Sequence, residues 1–407
     1  MRIAVIGAGL VGLATAHALA DDGHAVVVID REGPAAGASR GNAGWLAHTD
    51  IDPIASPGML RRVPGYLFDP LGPLSIRAGH LLAVLPWLGR LVLAARPGRL
   101  ARSVEAIAAI NGLAMPAWDA LSRQLGMGGL IHRRGALFAF DRADAFAASR
   151  AHRLRQRGFG IAVEAIEGHA LRQMEPGLSD AIVGAAYYPD AAHVSDPLLV
   201  TQALFAAAMS RGIGFERAVV QAVGADATIA CQGRDPILAD RCVIAAGAWS
   251  RPLAASVGDR IPLDTERGYN VSFAGVRTIT RPVSFDGHGF VATPLETGLR
   301  IGGAVELGGL KLAPNHDRTR ALHARAGRLL REVPPIGQGT MWMGFRPSIP
   351  DSLPVIGFAK AGRQVVHAFG HGHYGLTQSA ATGRLVADLL AGRPPAIDLS
   401  PFSPQRF

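Results

Sequence analysis

The chain opens on MRIAVI, an apolar run too short for a helix and rich in the branched side chains that suit a buried parallel strand. A small-residue turn follows from Gly7 to Gly12, and Leu13 to Asp21 then keeps helical spacing, with Ala14, Ala18 and Leu19 on one side. Gly23 ends that helix, and His24 to Ile29 forms a second apolar strand closing on Asp30. The predicted unit is βαβ.

Further along, Ala106 to Leu125 carries Ile107, Ile110, Ala114, Trp118, Leu121 and Leu125 at spacings of three and four, a core-facing stripe interrupted by Pro116. Asp196 and Pro197 read as the cap and first turn of a helix over Leu198 to Arg211. Gly212 to Val220 and Arg241 to Ala246 read as strands, the second running into the small-residue turn Gly247 to Ser250. Gly268 to Phe273 and Leu299 to Val305 alternate as in an antiparallel sheet, with Thr319 to Arg331 as a helix across it. A final helix, Tyr374 to Leu390, shows Leu376, Ala380, Leu385, Val386 and Leu389 as its buried side.

The first unit carries the glycine spacing of a dinucleotide turn. Gly7 permits the turn, Gly9 lets the backbone approach a pyrophosphate, and Gly12 lets the helix pack on the strand. Leu10 and Val11 begin a helix whose free N–H groups suit phosphate. Asp30, eighteen residues after Gly12, is placed to accept hydrogen bonds from an adenosine ribose. The second strand then runs into REGPAAGASRGNAGW rather than a regular βα repeat. That flexible backbone suits an extended ligand such as FAD better than NAD. Arg31, Ser39, Arg40, Asn42, Ala43 and Gly44 are its candidate contacts, with Ser39 and Arg40 at the phosphates. Val219, Ala246, Gly247 and Trp249 add contacts from the later strands.

The expected fold is therefore α/β. A Rossmann-like FAD-binding domain, residues 1–56, 192–255 and 340–407, is interleaved with a second α+β substrate domain built on an antiparallel sheet, residues 57–191 and 256–339. A chain of 407 residues, 49% hydrophobic, is long enough for both. The net charge of +9 is almost all scattered arginine, with Lys311 and Lys360 the only lysines, and no basic stripe interleaved with aromatics argues for nucleic acid. Cys231 and Cys242 match no zinc or CxxC spacing, so no disulfide or metal is expected and the cytoplasm is the expected compartment. The opening twenty residues resemble a signal peptide in composition, but removing them would delete a structural element.

One segment bears on membranes. His80 to Leu100 has an apolar core of about fifteen residues broken by Pro86 and Arg90, short of the roughly twenty a bilayer span needs. It reads either as a core helix or as an interfacial one, with Trp87 buried in lipid and Arg90, Arg96 and Arg99 at anionic head groups at the inner face of the membrane.

In order, VIGAGLVGLATAHALADDGHAVVVID, RGNAG, VIAAGAWS, MGFRPSIPDSLPVIG and GHGHYGLT resemble the FAD-dependent D-amino-acid oxidase superfamily, and most nearly its bacterial D-amino-acid dehydrogenases. Asp30 stands where many relatives have glutamate, and the second histidine of GHGHYG is less usual. The resemblance implies that Arg346, two residues after Gly344, grips the substrate carboxylate, and that the Tyr269 hydroxyl assists. It implies that Gly370, Gly372 and Gly375 let the loop approach the flavin ring. Here Tyr374, Leu376 and Thr377 begin a helix aimed at its N1–C2=O edge. His371 and His373 lack a third ligand at metal spacing; one is expected to pack on flavin. His48 or His371 is the candidate acceptor of the substrate ammonium proton.

The implied reaction is oxidation of a D-amino acid by hydride transfer from Cα to flavin. The product is an imino acid and then a 2-oxo acid, with electrons passing to a quinone or another carrier. Small neutral substrates of the D-alanine or D-proline type are expected, because no carboxylate is evident beside the substrate motifs. Three alternatives stay open: a glycine or secondary-amine oxidase of the same fold using oxygen, a nicotinamide-dependent dehydrogenase, and a non-catalytic flavin-binding subunit.

Overall fold

The computed structural model describes residues 1–56 and 71–407. The start of the second unit expected from the sequence, 57–70, lies outside the described residues. A six-stranded sheet runs in the order Gly214–Arg217, Ala25–Asp30, Arg2–Ile6, Arg241–Ile244, Gly362–Phe369 and Val355–Ala359. Its first five strands are parallel and the last returns antiparallel. Ile3, Val5, Val28 and Val243 are wholly buried on one face, Ala4, Ile29, Cys242 and Ile244 on the other, which is why these strands read as continuous apolar runs.

The helix Leu10–Asp21 packs on this sheet beside Gly375–Ala391. The approach is close enough that a methyl group on Gly383 would stand 2.7 Å from the carbonyl oxygen of Ala14. Asp196 caps the helix Pro197–Ser210 by accepting from the Leu198 N–H at 2.8 Å, with Pro197 in the first turn. The apolar stripe over 106–125 is split into Pro97–Gly112 and Ala114–Gln124. Pro116 has no N–H to give and its ring collides with the carbonyl four residues back, on Gly112, where the first helix stops.

The second sheet is mostly antiparallel, in the order Thr340–Ser348, Asp264–Ala274, Gly298–Leu307, Phe290–Leu295, Val283–Phe285, Ala136–Phe140, Gly184–Tyr188 and Glu164–Glu167. Leu74–Ile76 joins it beside Gly298–Leu307. Thr340–Ser348, assigned by sequence to the cofactor unit, is hydrogen-bonded along its length to Asp264–Ala274 in this sheet. It carries Arg346 on the sheet facing the cavity and then hands the chain back to the parallel sheet at Val355.

Leu81–Ala94 is a helix with Val84, Trp87 and Ala94 buried, and the Trp87 N–H donates to the Ser348 carbonyl. Trp87 therefore faces the protein interior, and the apolar residues on the outer surface are Leu81, Leu82, Leu85, Val92 and Leu93. Among the described residues no single helix is long and apolar enough to cross a membrane.

Candidate active site

A cavity of about 1010 Å3 runs between the two sheets, from the first glycine turn to Arg346. At one end Gly7, with φ +117, lies so close to the strand Arg241–Ile244 and its continuation that a Cβ would stand 2.4 Å from the Ala245 oxygen. A Cβ on Gly12 would stand 1.9 Å from the Gly7 oxygen, so its glycine serves packing within the turn. Gly9, Leu10 and Val11 border the cavity, the helix they begin has no side-chain cap, and the Leu10 N–H donates to Ser39 Oγ. Asp30 accepts from the N–H groups of Ala8, Glu32 and Gly33 at 2.8–2.9 Å. A carboxylate has about four acceptor positions, so capacity for a ribose hydroxyl remains.

Arg31, Ser39, Asn42 and Ala43 line the next stretch, and Val219, Ala246, Gly247 and Trp249 face them. The Arg31 guanidinium stacks 3.8 Å from the centre of a Trp249 ring. The loop is tied to the second sheet: Asn270 donates to the Gly41 carbonyl and Arg300 to that of Asn42. The Trp342 ring fills the space beside Gly41 and Gly344, where added methyl groups would come within 2.4 and 1.9 Å of it. Arg40 is exposed and does not line the cavity, and neither do Gly44 or Gly12. Gly44 instead abuts Leu295, and Thr377 is buried with Oγ1 accepting from the Ala47 N–H.

The other end is built on a strand irregularity. Arg267 pairs with Glu306 and Tyr269 with Gly303, so Ala304 and Val305 together oppose Gly268. This is a β-bulge, with Ala304 in the left-handed region at φ +54. Its carbonyl accepts from Arg346 Nη1 at 3.0 Å. Arg346 stands cross-strand from the fully buried carboxylate of Glu266. That carboxylate also accepts from Ser348 Oγ at 2.5 Å and pairs with His373 Nε2 at 2.8 Å. Burial drives the Glu266 carboxyl up, but His373, Ser348 and Arg346 together outweigh it and leave the group below its ordinary value. Burial lowers the Arg346 guanidinium, against the pull of Glu266.

Tyr269, His48 and His371 differ from expectation. Tyr269 borders the cavity, but its hydroxyl donates to Glu306 at 2.7 Å and accepts from the Asn315 N–H, on the strand face opposite Glu266 and Gly268. His48 does not line the cavity; its Nδ1 bonds the Leu46 carbonyl and burial lowers its pKa. His371 borders the cavity, but its Nε2 is bonded to Thr382 Oγ1 and burial pulls the ring down to about 3, leaving it a poor proton acceptor. Gly372, His373, Tyr374, Gly375 and Leu376 all edge the cavity, and the helix from Gly375 has no side-chain cap.

Four carboxylates at the cavity, Glu32, Asp50, Glu266 and Asp286, were not anticipated from the sequence. Glu266 is spent on Ser348 and His373; Asp50 has no hydrogen-bonding or ionic partner for its carboxyl among the described residues. Burial, and secondarily Asp52, push Asp50 up to about 7. The signal for Glu266 was its place two residues before Gly268 in a strand otherwise reading as core. Among the described residues no cluster of three His, Cys, Asp or Glu side chains is arranged to hold a metal ion.

The chain matches the DAO family of FAD-dependent oxidoreductases over residues 2–389. It belongs to that family. Within this flavoenzyme family it is 39% identical to a D-amino-acid oxidase of Bradyrhizobium diazoefficiens, across 100% of this chain and 99% of that protein. It is 32% identical to D-amino acid dehydrogenase 2 of Ralstonia nicotianae, across 99% of each. The fold superposes on a glycine oxidase from Geobacillus kaustophilus with a TM-score of 0.79 at 25% identity, covering 100% of this chain and 99% of the other. The cofactor is FAD. The cavity fits it: two uncapped helix starts, a free acceptor position on Asp30 and a glycine-rich edge at 370–375 lie along one elongated space. The protein is a flavin-dependent amino-acid oxidoreductase.

Proposed function

We propose that this enzyme deaminates small neutral D-amino acids oxidatively, D-alanine and D-proline types first, and passes the electrons to a quinone or similar carrier. The observation that carries the reading is Arg346. Its guanidinium borders the cavity, is steadied by the Ala304 carbonyl and is backed by Glu266. A fixed fork of parallel N–H donors is the group that sets both the position and the rotation of a planar carboxylate. Relatives named for D-amino acids support the stereochemical choice.

In this reading the helix start at Leu10 and Ser39 hold the pyrophosphate, Asp30 the ribose, and the backbone of 372–376 the flavin ring. FAD, when bound, accepts the hydride from the substrate Cα. Arg346 supplies position and orientation, which account for much of such a rate enhancement. The glycine edge and the Trp87, Leu88 and Leu91 side chains limit access of water. A neutral substrate is supported by the commitment to His373 of Glu266, the carboxylate cross-strand from Arg346.

The quinone and a peripheral seat on the membrane are supported by the helix Leu81–Ala94. Trp87 and Leu91 form cavity wall, while Leu82 is 83% exposed on the other side. Arg90, Arg96 and Arg99 accompany that surface as candidate partners for anionic lipid. A second reading, transfer to oxygen, is favoured by the 39% identical relative being named an oxidase.

The test is anaerobic mixing of the holoenzyme with D- and L-amino acids, read as bleaching of the flavin, followed by oxygen uptake against quinone-analogue reduction. Faster bleaching by D-arginine or D-glutamate than by D-alanine and D-proline would overturn the substrate choice. Oxygen turnover equal to that with the quinone analogue would make the enzyme an oxidase. Failure to sediment with anionic vesicles at low salt would remove the membrane contact.

A further inference from the structure

His373 and Glu266 form a pair that the reaction as described above leaves unused. Glu266 sits on the second strand of the antiparallel sheet, its side chain 2% exposed, yet it faces a histidine 107 positions away on a different element. That histidine is 38% exposed at its side chain and borders the cavity, so one ring nitrogen is held at 2.8 Å by a buried anion while the ring reaches open space. A carboxylate takes hydrogen bonds and gives none, so Nε2 carries a proton, and in the neutral ring the lone pair is on Nδ1.

Arg346 lies cross-strand from the same carboxylate. Arg346 and His373 therefore flank one anionic group, and both border the cavity. An α-amino acid carries its nitrogen one carbon from its carboxyl carbon. A substrate gripped by Arg346 thus presents its ammonium near the neighbour that shares Glu266.

We propose that His373 is a catalytic residue: Nδ1 takes a proton from the substrate ammonium, with Glu266 as a positioning residue that holds Nε2–H and orients the ring. This rests on the amino-acid-oxidising reading of the cavity. One N–H bond of the ammonium breaks and its proton bonds to Nδ1, leaving a lone pair on the substrate nitrogen. That pair becomes the second bond of C=N as the Cα–H pair departs as hydride to FAD, the oxidant.

The other ionisable groups facing this space are less suited. His371 is tied to Thr382 and held down at about 3 by burial. The Tyr374 hydroxyl donates to the Asp52 carbonyl and burial raises its pKa well above the ordinary value. Arg346 and Glu266 are the charged groups flanking His373. Asp50, from the segment after the 42–47 loop, is the rival acceptor, and Asp52 stands behind it.

The test compares wild type, His373→Gln, Glu266→Gln, the double variant of both, and Asp50→Asn as holoenzymes, with D-alanine. The double variant removes the buried carboxylate that His373→Gln alone would leave without its partner, should that protein fold poorly. Anaerobic bleaching is followed across the pH range up to the ammonium pKa of D-alanine. The expected result is a loss of about 10²-fold or more for His373→Gln at neutral pH, with FAD content unchanged, recovering as the substrate arrives increasingly as free amine. Histidine 15N NMR of the holoenzyme gives an independent readout: His373 should hold its proton on Nε2, and Glu266→Gln should weaken that preference. A His373→Gln profile parallel to wild type at all pH values would overturn the proposal, as would an Asp50→Asn profile showing the recovery instead. Absence of bleaching in wild type by any amino acid would overturn both this role and the function it rests on, whereas a parallel profile defeats the role of His373 alone.

Discussion

The Arg346 guanidinium lies against Gly268 of the neighbouring strand so closely that a methyl group on Gly268 would stand 2.4 Å from Cζ. The two strands are paired in register, Gly268 opposite Gly344, and the bulge at Ala304 supplies the carbonyl that fixes Nη1. The arginine is thus aimed by the absence of a side chain. Gly268→Ala should push it off its position and lower kcat/KM by about 10²-fold, the order expected for a misplacement of about 1 Å. FAD content should be unchanged, since the contact is remote from the Gly7 turn. A variant with normal kcat/KM would mean that the guanidinium does not need this position.

Arg346→Leu should be more severe. Losing a charge-assisted, two-pronged grip costs about 3 kcal/mol or more of transition-state binding, over a hundredfold in kcat/KM. Arg346→Lys keeps the charge but not the fork, and should restore only part of the loss. The measurement is anaerobic flavin reduction at limiting substrate. A leucine variant within threefold of wild type would remove Arg346 from the site.

The parts of this molecule legible in the sequence are those whose physics is local. The turn at Gly7–Gly12 sits between a strand and a helix within thirty residues, and Asp196 caps a helix two residues on. The break before Pro116 has a local cause too, once the ring's collision with the carbonyl of Gly112 is considered. The pairing of Glu266 with His373 joins separate elements 107 residues apart, which no spacing rule reaches. Asp264–Ala274 is buried along most of its length, with charged side chains on both faces, Glu266 on one and Arg267 on the other, so alternation does not mark which face is the substrate side. Tyr269, one residue from Gly268, was expected at the carboxylate from the resemblance, whereas its hydroxyl serves Glu306. Histidine type alone also misleads: His48 and His371 suit proton transfer by ordinary pKa, but burial lowers both and each ring is held by a fixed partner.

The two glycines that bracket the first helix turn should fail differently. A Cβ on Gly12 would stand 1.9 Å from the Gly7 oxygen, backbone that has no way to yield, so Gly12→Ala should reduce soluble protein. On Gly9 the tightest contact is 3.0 Å to Ser39 Oγ, a side chain that can rotate. Gly9→Ala should therefore fold and lose FAD, because its methyl group occupies the approach to the pyrophosphate. The flavin-to-protein absorbance ratio checks this. Neither cysteine borders the cavity, so acid precipitation of wild type should release the flavin; colour retained in the pellet would reveal a covalent link.

Asp50 should make stability depend on pH in a predictable direction. Its carboxyl ionises near 3.8 in the unfolded chain and at about 7 in the folded one, where burial and then Asp52 oppose the charge. Below about 4 both states are protonated and the group costs nothing. Between there and about 7 the unfolded chain has released its proton while the native state retains it, so folding loses free energy as the pH rises. Above about 7 both are ionised and the loss is complete, at most about 4 kcal/mol and less where water reaches the carboxyl. Asp50→Asn removes the titration but keeps the shape. Its stability advantage over wild type should grow as the pH rises from about 4 to about 7 and then level off. Denaturant unfolding of the two holoenzymes across that range is the measurement, and an advantage that shrinks with rising pH would show that the native carboxyl is stabilised as an anion instead.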